Sequence, residues 1–373
     1  MLKPFTRRRQ HRARLPDAPR LSDSDETFIS RVVTAFLIRH GVPGASVALT
    51  DQGRLVYVKG FGVADPATQT PVTPGHLFRI ASVSKPITAV TVFRLIELGQ
   101  IRLSDLVFGS SGILGTRFGT QPYHPGVDQI TVQHLLEHAS GWAQSQDPMF
   151  AHLELSQRQL IDRTLDAEPL TYASGSTFEY LNFGYCLLGR IIEAVTGLPY
   201  EDAVRRYVLA PCGVTEMYLA GDSLAERRDN EVVYVQQGAI SPYGIRISRM
   251  DSHGGWLASP TELMRFLVRV DGYPTKPDLL SSGSIATMCT PSTAVGAGGY
   301  AKGWATNAVG NRWHLGDVPG TASVMVRTSG GMGWAVLVNS RNDAELETMR
   351  TDFDNLMWTI VGHIPNWPPA DLF

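Results

Sequence analysis

The feature that most constrains this chain is a Ser-x-x-Lys pair, Ser82 and Lys85, at the head of an apolar segment. Apolar residues with helical spacing follow over 87–98 and stop at Gly99, which predicts a buried helix beginning at or just after Ser82. A lysine in a dry pocket favours its neutral form and can take the proton of a nearby serine. The pair is therefore a candidate reaction centre, and the alternative is a helix cap followed by a solvated lysine.

Strand patterns at the two ends of the chain predict one antiparallel sheet. Early strands are expected over 45–50 and 54–63 around the turn Asp51-Gln52-Gly53, and a late meander is expected over 313–316, 322–327 and 332–339. Apolar residues at helical spacing predict one helix over 22–40 and another from about Ala344. Together they predict an α/β (α+β) fold in which helices flank an antiparallel sheet.

Between these ends the strand signals become rare and helix signals take over. Short helices are expected over 130–141, 156–166 and 187–197. The chain is accordingly divided into a sheet domain over 22–99 and 240–373 and an inserted, mostly helical domain over 100–239. Residues 1–21 are basic and polar and are predicted to form a disordered tail.

The bulk composition excludes several classes of partner. The formal net charge is −2, which favours neither a nucleic-acid nor a membrane partner. The three cysteines, Cys186, Cys212 and Cys289, are far apart and fit neither a disulfide framework nor a zinc site. No run of 18 apolar residues occurs, and no apolar stretch follows the arginines near the start, so no signal peptide is evident and a cytoplasmic location is expected.

A second candidate stretch contains Tyr180 and Asn182. Residues two apart in an extended segment face the same way, so both side chains would point into one cleft. A phenol beside a lysine can move protons, because positive charge lowers its pKa. The carboxamide can hold a substrate carbonyl. The alternative is a packing tyrosine followed by a helix-capping asparagine.

A third candidate stretch contains His314, Gly316 and Asp317. His314 and Gly316 would share a strand face, and the glycine would let a substrate lie close to the backbone. The N–H of Asp317 could join that of Ser82 as an oxyanion hole. An imidazole that is half-charged near neutral pH would donate to a substrate or to the Tyr180 hydroxyl. The alternative is a core histidine satisfied by the backbone.

Two other patterns in the sequence compete with this candidate site. His134 and His138 match the His-x-x-Glu-His pattern, in which two imidazoles one helical turn apart bind zinc. The glycines over 296–303 lack the Lys-Ser/Thr of a phosphate-binding loop, and Gly-x-Ser-x-Gly is absent. We therefore expect no metal and no cofactor.

Taken together, the Ser-x-x-Lys, Tyr-x-Asn and His-x-Gly motifs resemble the serine β-lactamase and penicillin-binding-protein family over roughly residues 25–362. The resemblance is greatest to its class C β-lactamase, family VIII esterase and D-amino-peptidase branch. It implies the same sheet-plus-helices fold and catalysis through an acyl-enzyme. Ser82 carries over as the nucleophile, Lys85 and Tyr180 as the proton-transfer pair, and Asn182 as a ligand of the substrate carbonyl. His314 and Gly316 fall on the third motif.

Departures at the third motif shape the expected substrate. Leu315 stands where many β-lactamases have a threonine, which removes a hydroxyl that could bind a carboxylate, and Asp317 adds a negative charge. Both changes favour a neutral, small-molecule ester or amide. The expected function is a serine hydrolase acting through an acyl-enzyme on Ser82. The alternatives are an acyltransferase, transesterase or peptide cyclase, and a D-amino-acid peptidase or weak β-lactamase.

Overall fold

The structure, a computed structural model, describes residues 21–373. Except for Leu21, the basic tail predicted over 1–21 lies outside the described residues. The described helices are α1 Asp23–His40, α2 Ser84–Glu97, α3 Val132–Leu136, α4 Gln157–Ala167, α5 Asn182–Thr196, α6 Tyr200–Val204, α7 Pro260–Leu267, α8 Ser282–Cys289 and α9 Leu346–His363. The described strands are β1 Gly44–Asp51, β2 Arg54–Asp65, β3 Thr70–Pro71, β4 Phe78–Arg79, β5 Tyr218–Leu219, β6 Trp256–Ala258, β7 Ala305–Thr306, β8 Arg312–Val318, β9 Thr321–Arg327 and β10 Met332–Val338.

Seven strands of residues 21–373 form one antiparallel sheet in the order β3-β2-β1-β10-β9-β8-β7. Strand β1 pairs with β10, so that Ala45 lies opposite Val338. The prediction that both ends of the chain share one sheet is therefore confirmed. A smaller sheet, β4-β6-β5, was not predicted, because strands of two or three residues show no alternation.

One face of the large sheet is covered by two helices that come from opposite ends of the chain. Helix α1 begins after Ser22, whose side chain accepts from the N–H of Asp25, and ends at Gly41 with a φ of 61°. It packs with α9 on one face, where Val33 and Phe353 are buried against strand side chains such as Val47 and Val336. Full burial of one such side chain contributes about 1.5–3 kcal/mol. Helix α7 packs against β1 and β10 on the other face, and α2 packs against α5.

The middle of the chain is mainly helical, as predicted. Helix α3 is capped by Thr131 but is shorter than expected, since it ends at Leu136. Helices α4 and α5 lie close to their predicted positions, and side chains of α5 and α2, such as Leu188 and Ile87, share one core. The division into two domains stays a prediction. No helix between residues 21 and 373 is both long and apolar enough to cross a membrane.

Candidate active site

Ser82 lies in a short 3₁₀ turn, Ala81–Val83, that leads directly into α2. Ala81 has a φ of 46°, which side-chain-bearing residues rarely adopt. Neighbouring hydrogen bonds hold this turn in place, because the N–H of Ile80 donates to the Trp256 carbonyl at 3.0 Å and the Ser323 hydroxyl donates to the Ile80 carbonyl at 2.8 Å. Strain of this kind is often found where a reactive side chain must be presented in one orientation.

Lys85 lies beneath Ser82 and is fully buried. Its Nζ is 2.9 Å from Ser82 Oγ, 2.8 Å from Asn182 Oδ1 and 3.0 Å from the His253 carbonyl oxygen. Burial lowers the pKa of Lys85 to about 7, against a smaller opposing effect of the Asp147 carboxylate. Lys85 is thus neutral in a large fraction of molecules near neutral pH.

The hydrogen bonds of Lys85 also determine where its lone pair points. Asn182 Oδ1 and the His253 carbonyl can only accept, so both N–H bonds of a neutral amine are directed to them. The lone pair then faces Ser82 Oγ and can accept the serine proton. This is the arrangement that a general base for Ser82 requires.

Tyr180 and Asn182 reach the same cavity, and Asn182 is the first residue of α5. Lys85 Nζ lies over the face of the Tyr180 ring, 4.7 Å from its centroid. Burial raises the pKa of Tyr180, and a smaller contribution from the Ser82 side chain lowers it. The expectation that Lys85 would lower this pKa is therefore wrong, because desolvation is the dominant effect and the lysine lies against the ring. Tyr180 keeps its proton and is available as a hydrogen-bond donor.

Asp147 is a site residue that the sequence interpretation missed. It caps a 3₁₀ turn, Pro148–Phe150, and lines the cavity. One carboxylate oxygen accepts from the N–H of Asn182 at 2.5 Å and the other from the N–H of Met149 at 3.1 Å. Burial raises its pKa and these hydrogen bonds lower it. Because its Asp-Pro dipeptide is an ordinary turn signal in the sequence, Asp147 is recognised as a site residue only from its position beside Asn182 and Lys85.

His314 belongs to a chain of buried hydrogen bonds. Its Nδ1 donates to the Leu315 carbonyl at 2.6 Å, so its Nε2 accepts from the Tyr300 hydroxyl at 3.1 Å. His138 Nδ1 accepts from the N–H of Leu181 at 3.0 Å, so its Nε2 donates to the Tyr300 oxygen at 3.3 Å. The sequence interpretation missed Tyr300, which links the two histidines.

The electrostatic state of His314 differs from the expectation. Burial, followed by the charge of Lys85, lowers the pKa of His314 to about 3. The prediction of an imidazole that is half-charged near neutral pH is therefore wrong, since a charged ring would be desolvated beside a lysine. Its Nε2 accepts from Tyr300, so it is not the donor to Tyr180 that was expected.

The His-x-x-Glu-His pattern does not place two imidazoles on one helical turn. Helix α3 ends at Leu136, and His138 has a φ of 57°. The His134 ring accepts from the N–H of Thr131, and Glu137 forms an ion pair with Lys302. In the part of the chain that the structure describes, no cluster of three or more His, Cys, Asp or Glu side chains could hold a metal ion.

Strand β8 lies directly against the Ser82 turn. A Cβ on Gly316 would collide with the Ile80 carbonyl oxygen and the Ser323 hydroxyl and would lie 3.1 Å from Ser82 N. Asp317 points toward α9, where its carboxylate pairs with Arg350. The negative charge expected at Asp317 is therefore present but neutralised. The oxyanion-hole role of its N–H stays a prediction.

A cavity of about 530 Å³ brings the predicted residues together. Five of them line it: Ser82, Tyr180, Asn182, His314 and Asp317. Lys85 does not line the cavity but contacts Ser82 from beneath, and Gly316 lies against the turn that carries Ser82. The arrangement combines a hydroxyl, a neutral amine and an adjacent phenol, which is a constellation suited to acyl transfer.

Comparisons with known proteins agree with this geometry. The family model described as Beta-lactamase matches residues 29–356. Protein flp of Staphylococcus aureus (strain COL) is 24% identical over 336 residues, which cover 87% of this chain and 65% of that protein. The chain thus spans less than two thirds of the length of that curated relative.

Two solved structures have the same fold and similar identity. The octameric penicillin-binding protein homologue from Pyrococcus abyssi is 25% identical with a TM-score of 0.73, covering 93% of this chain and 79% of its own. D-amino acid amidase from Ochrobactrum anthropi SV3 is 25% identical with a TM-score of 0.71, covering 89% of this chain and 99% of its own. The fold expected from the sequence motifs is confirmed.

Proposed function

This chain belongs to the Beta-lactamase family of serine hydrolases, and from that premise we propose that it cleaves a carboxylic ester or amide through an acyl-enzyme on Ser82. The observation that carries the proposal is the 2.9 Å contact between Ser82 Oγ and the buried Nζ of Lys85. It supplies both a nucleophile and a base of suitable pKa within hydrogen-bond distance.

In the proposed acylation step, Lys85 Nζ accepts the Ser82 proton as Oγ attacks the substrate carbonyl carbon. The carbonyl π electrons move to its oxygen, which the N–H groups of Ser82 and Asp317 stabilise. The protonated Tyr180 hydroxyl lies next to Ser82 and relays a proton to the leaving group as the bond to the carbonyl carbon breaks. Asn182 orients Lys85 and the substrate amide or ester group.

In the proposed deacylation step, water replaces the leaving group. Lys85, with Tyr180 as relay, accepts a proton from the water as its oxygen attacks the acyl carbon. The second tetrahedral intermediate collapses, the bond to Ser82 Oγ breaks, and the serine recovers its proton. Capture of the acyl group by an alcohol or amine would make the same site a transferase, and product analysis with added acceptors distinguishes the two outcomes.

The first candidate substrate is a neutral ester. The second is an amide or peptide of a D-amino acid, and the Asp147 carboxylate in the cavity wall favours it because an amino group would be attracted there. The similarity to D-amino acid amidase supports this second candidate.

Covalent labelling tests the proposal. We expect the intact mass to increase by one acyl or phosphonyl group after incubation with activated esters, D-amino acid amides, β-lactams or a fluorophosphonate, with at least one class reacting. Ser82→Ala should abolish labelling and turnover while the melting temperature stays near that of the wild type. Ser84→Ala is the matched control, since this serine lies two residues away and its hydroxyl accepts from the N–H of Trp256. Labelling that persists on another serine of Ser82→Ala would refute the assignment.

A further inference from the structure

Arg350 reaches the cavity from α9 and is held there by an acidic residue of this chain. Its Nε and Nη2 donate to Asp317 Oδ2 at 3.0 and 2.6 Å. Its Nη1 donates to Glu347, which is exposed at the protein surface. The Nε–Nη2 edge of the guanidinium group is thus already bound to a carboxylate.

The position of Asp317 makes this pairing accessible to a substrate. Strand β7 pairs with β8 only at Arg312 and Trp313 among the described residues, so Asp317 lies along the free edge of β8. Leu315 and Val318 line the cavity on either side of it. A ligand lying along this edge would meet the Asp317–Arg350 pair directly.

The charged residues that line the cavity disfavour the binding of a substrate carboxylate. Arg350 is the one arginine or lysine among the described residues that line the cavity, while Asp147 and Asp317 are acidic. A substrate carboxylate would therefore find its natural partner occupied. To bind the Nε–Nη2 edge of Arg350 it would have to displace Asp317, whose side chain is only 12% exposed, and leave that carboxylate without its cation.

We propose that Asp317 is a built-in carboxylate that occupies Arg350 and restricts this enzyme to substrates without a carboxylate at the β8 edge. The inference rests on the proposed hydrolase function and specifies its substrate class. It assigns to the Asp317 side chain a role in specificity that is separate from the role of its backbone N–H. Freeing Arg350 should create a carboxylate-binding site in the same cavity.

The test compares matched neutral and carboxylate-bearing esters. One pair, 4-nitrophenyl pentanoate and mono-4-nitrophenyl glutarate, differs on the acyl side, and the other, phenyl acetate and 3-acetoxybenzoate, differs on the leaving-group side. The measured quantity is the ratio of kcat/KM for the charged ester to that for the neutral ester. The variants are Asp317→Asn, Arg350→Met and the double variant, with Glu347→Gln as the control.

For at least one pair, Asp317→Asn should raise this ratio about tenfold or more, since a hydrogen bond to a charged group contributes about 1.5–3 kcal/mol. The double variant should lose the gain, because it has no guanidinium group to bind the carboxylate. Glu347→Gln should change the ratio less than about twofold, since exposed ion pairs are weak. If Asp317→Asn fails to fold, as judged by its melting temperature, Asp317→Ser replaces it.

Two outcomes would overturn the inference. One is an unchanged ratio in folded Asp317→Asn for both ester pairs. The other is a gain that persists in the double variant, which would show that only a general repulsion was removed. Failure of the proposed function is a different result: no ester is hydrolysed by the wild type and Ser82 is not labelled.

Discussion

At the scale of single residues, the proposed reactivity of Ser82 depends on the protonation of Lys85. The lysine has a pKa of about 7 because it is buried, and its two obligate acceptors direct its lone pair to the serine. The Asp147 carboxylate acts in the opposite direction and raises that pKa. His314 does not titrate in the same range, since its pKa is about 3. These pKa values distinguish Lys85, which titrates near neutral pH, from His314, which does not. The sequence alone predicted that the histidine would titrate there.

We expect kcat/KM for a neutral ester to rise with pH through an apparent pKa of about 7, because protonated Lys85 cannot accept a proton. Asp147→Asn should move this limb to lower pH, since it removes a negative charge that stabilises the charged lysine. His314→Ala should keep the limb even if its rate is lower. Steady-state kinetics of the wild type and both variants between about pH 5 and pH 9, at constant ionic strength, provide the measurement. Loss of the limb in His314→Ala would assign it to the histidine.

At the scale of elements, the site depends on strand β8 lying against the turn that carries Ser82. Gly316 is the point of closest approach, since a Cβ there would collide with the Ile80 backbone. The Ser323 hydroxyl on β9 donates to the same Ile80 carbonyl and fixes the turn from the next strand. Ser82, the proposed nucleophile, is therefore positioned by the sheet as well as by its own helix.

Gly316→Ala should lower kcat and destabilise the protein by about 1–3 kcal/mol, because the added methyl group must displace backbone atoms. Gly330→Ala is the matched control in the same sheet region, since a Cβ there has no heavy-atom neighbour closer than 4.0 Å. Ester hydrolysis and urea denaturation of both variants provide the measurements. Normal kcat in a folded Gly316→Ala variant would contradict the close approach.

At the scale of the whole molecule, the fold buries three neutral histidines around the site: His138, His253 and His314. Burial is the largest cause in each case and lowers the pKa of each ring below its usual value. The unfolded chain binds more protons at these positions below about pH 6.5. These histidines therefore lower the free energy of unfolding as the pH falls. Asp271, whose pKa burial raises to about 6, acts in the opposite direction.

We predict that His253→Gln loses less stability on acidification than the wild type. The free energy of unfolding of the wild type, relative to this variant, should fall below about pH 6.5 by up to about 1.4 kcal/mol per pH unit, because one buried neutral ring is removed. Taking the difference between the two proteins cancels the contribution of Asp271. Urea denaturation at pH 7, 6, 5 and 4 measures it. A difference that is the same at every pH would show that His253 does not titrate on unfolding.

The sequence by itself determined the elements whose signals are local. Ser22 and Gly41 mark the ends of α1 because capping involves only neighbouring backbone groups. The apolar runs of the late strands predict the meander of β8, β9 and β10, of which β8 alternates between buried and half-buried residues while β9 and β10 are buried almost throughout. The three motifs predict which side chains meet in the cavity, through a family resemblance that the comparisons bear out.

Only the tertiary structure decided the electrostatic state of the site and its additional members. Asp147, Tyr300 and Arg350 come from a turn, a loop and the last helix, and no short-range pattern connects them to Ser82. The pKa values of Tyr180 and His314 follow from desolvation, which depends on every segment that excludes water from the cavity. Charge and proximity are properties of the assembled fold, because both depend on residues far apart in the chain.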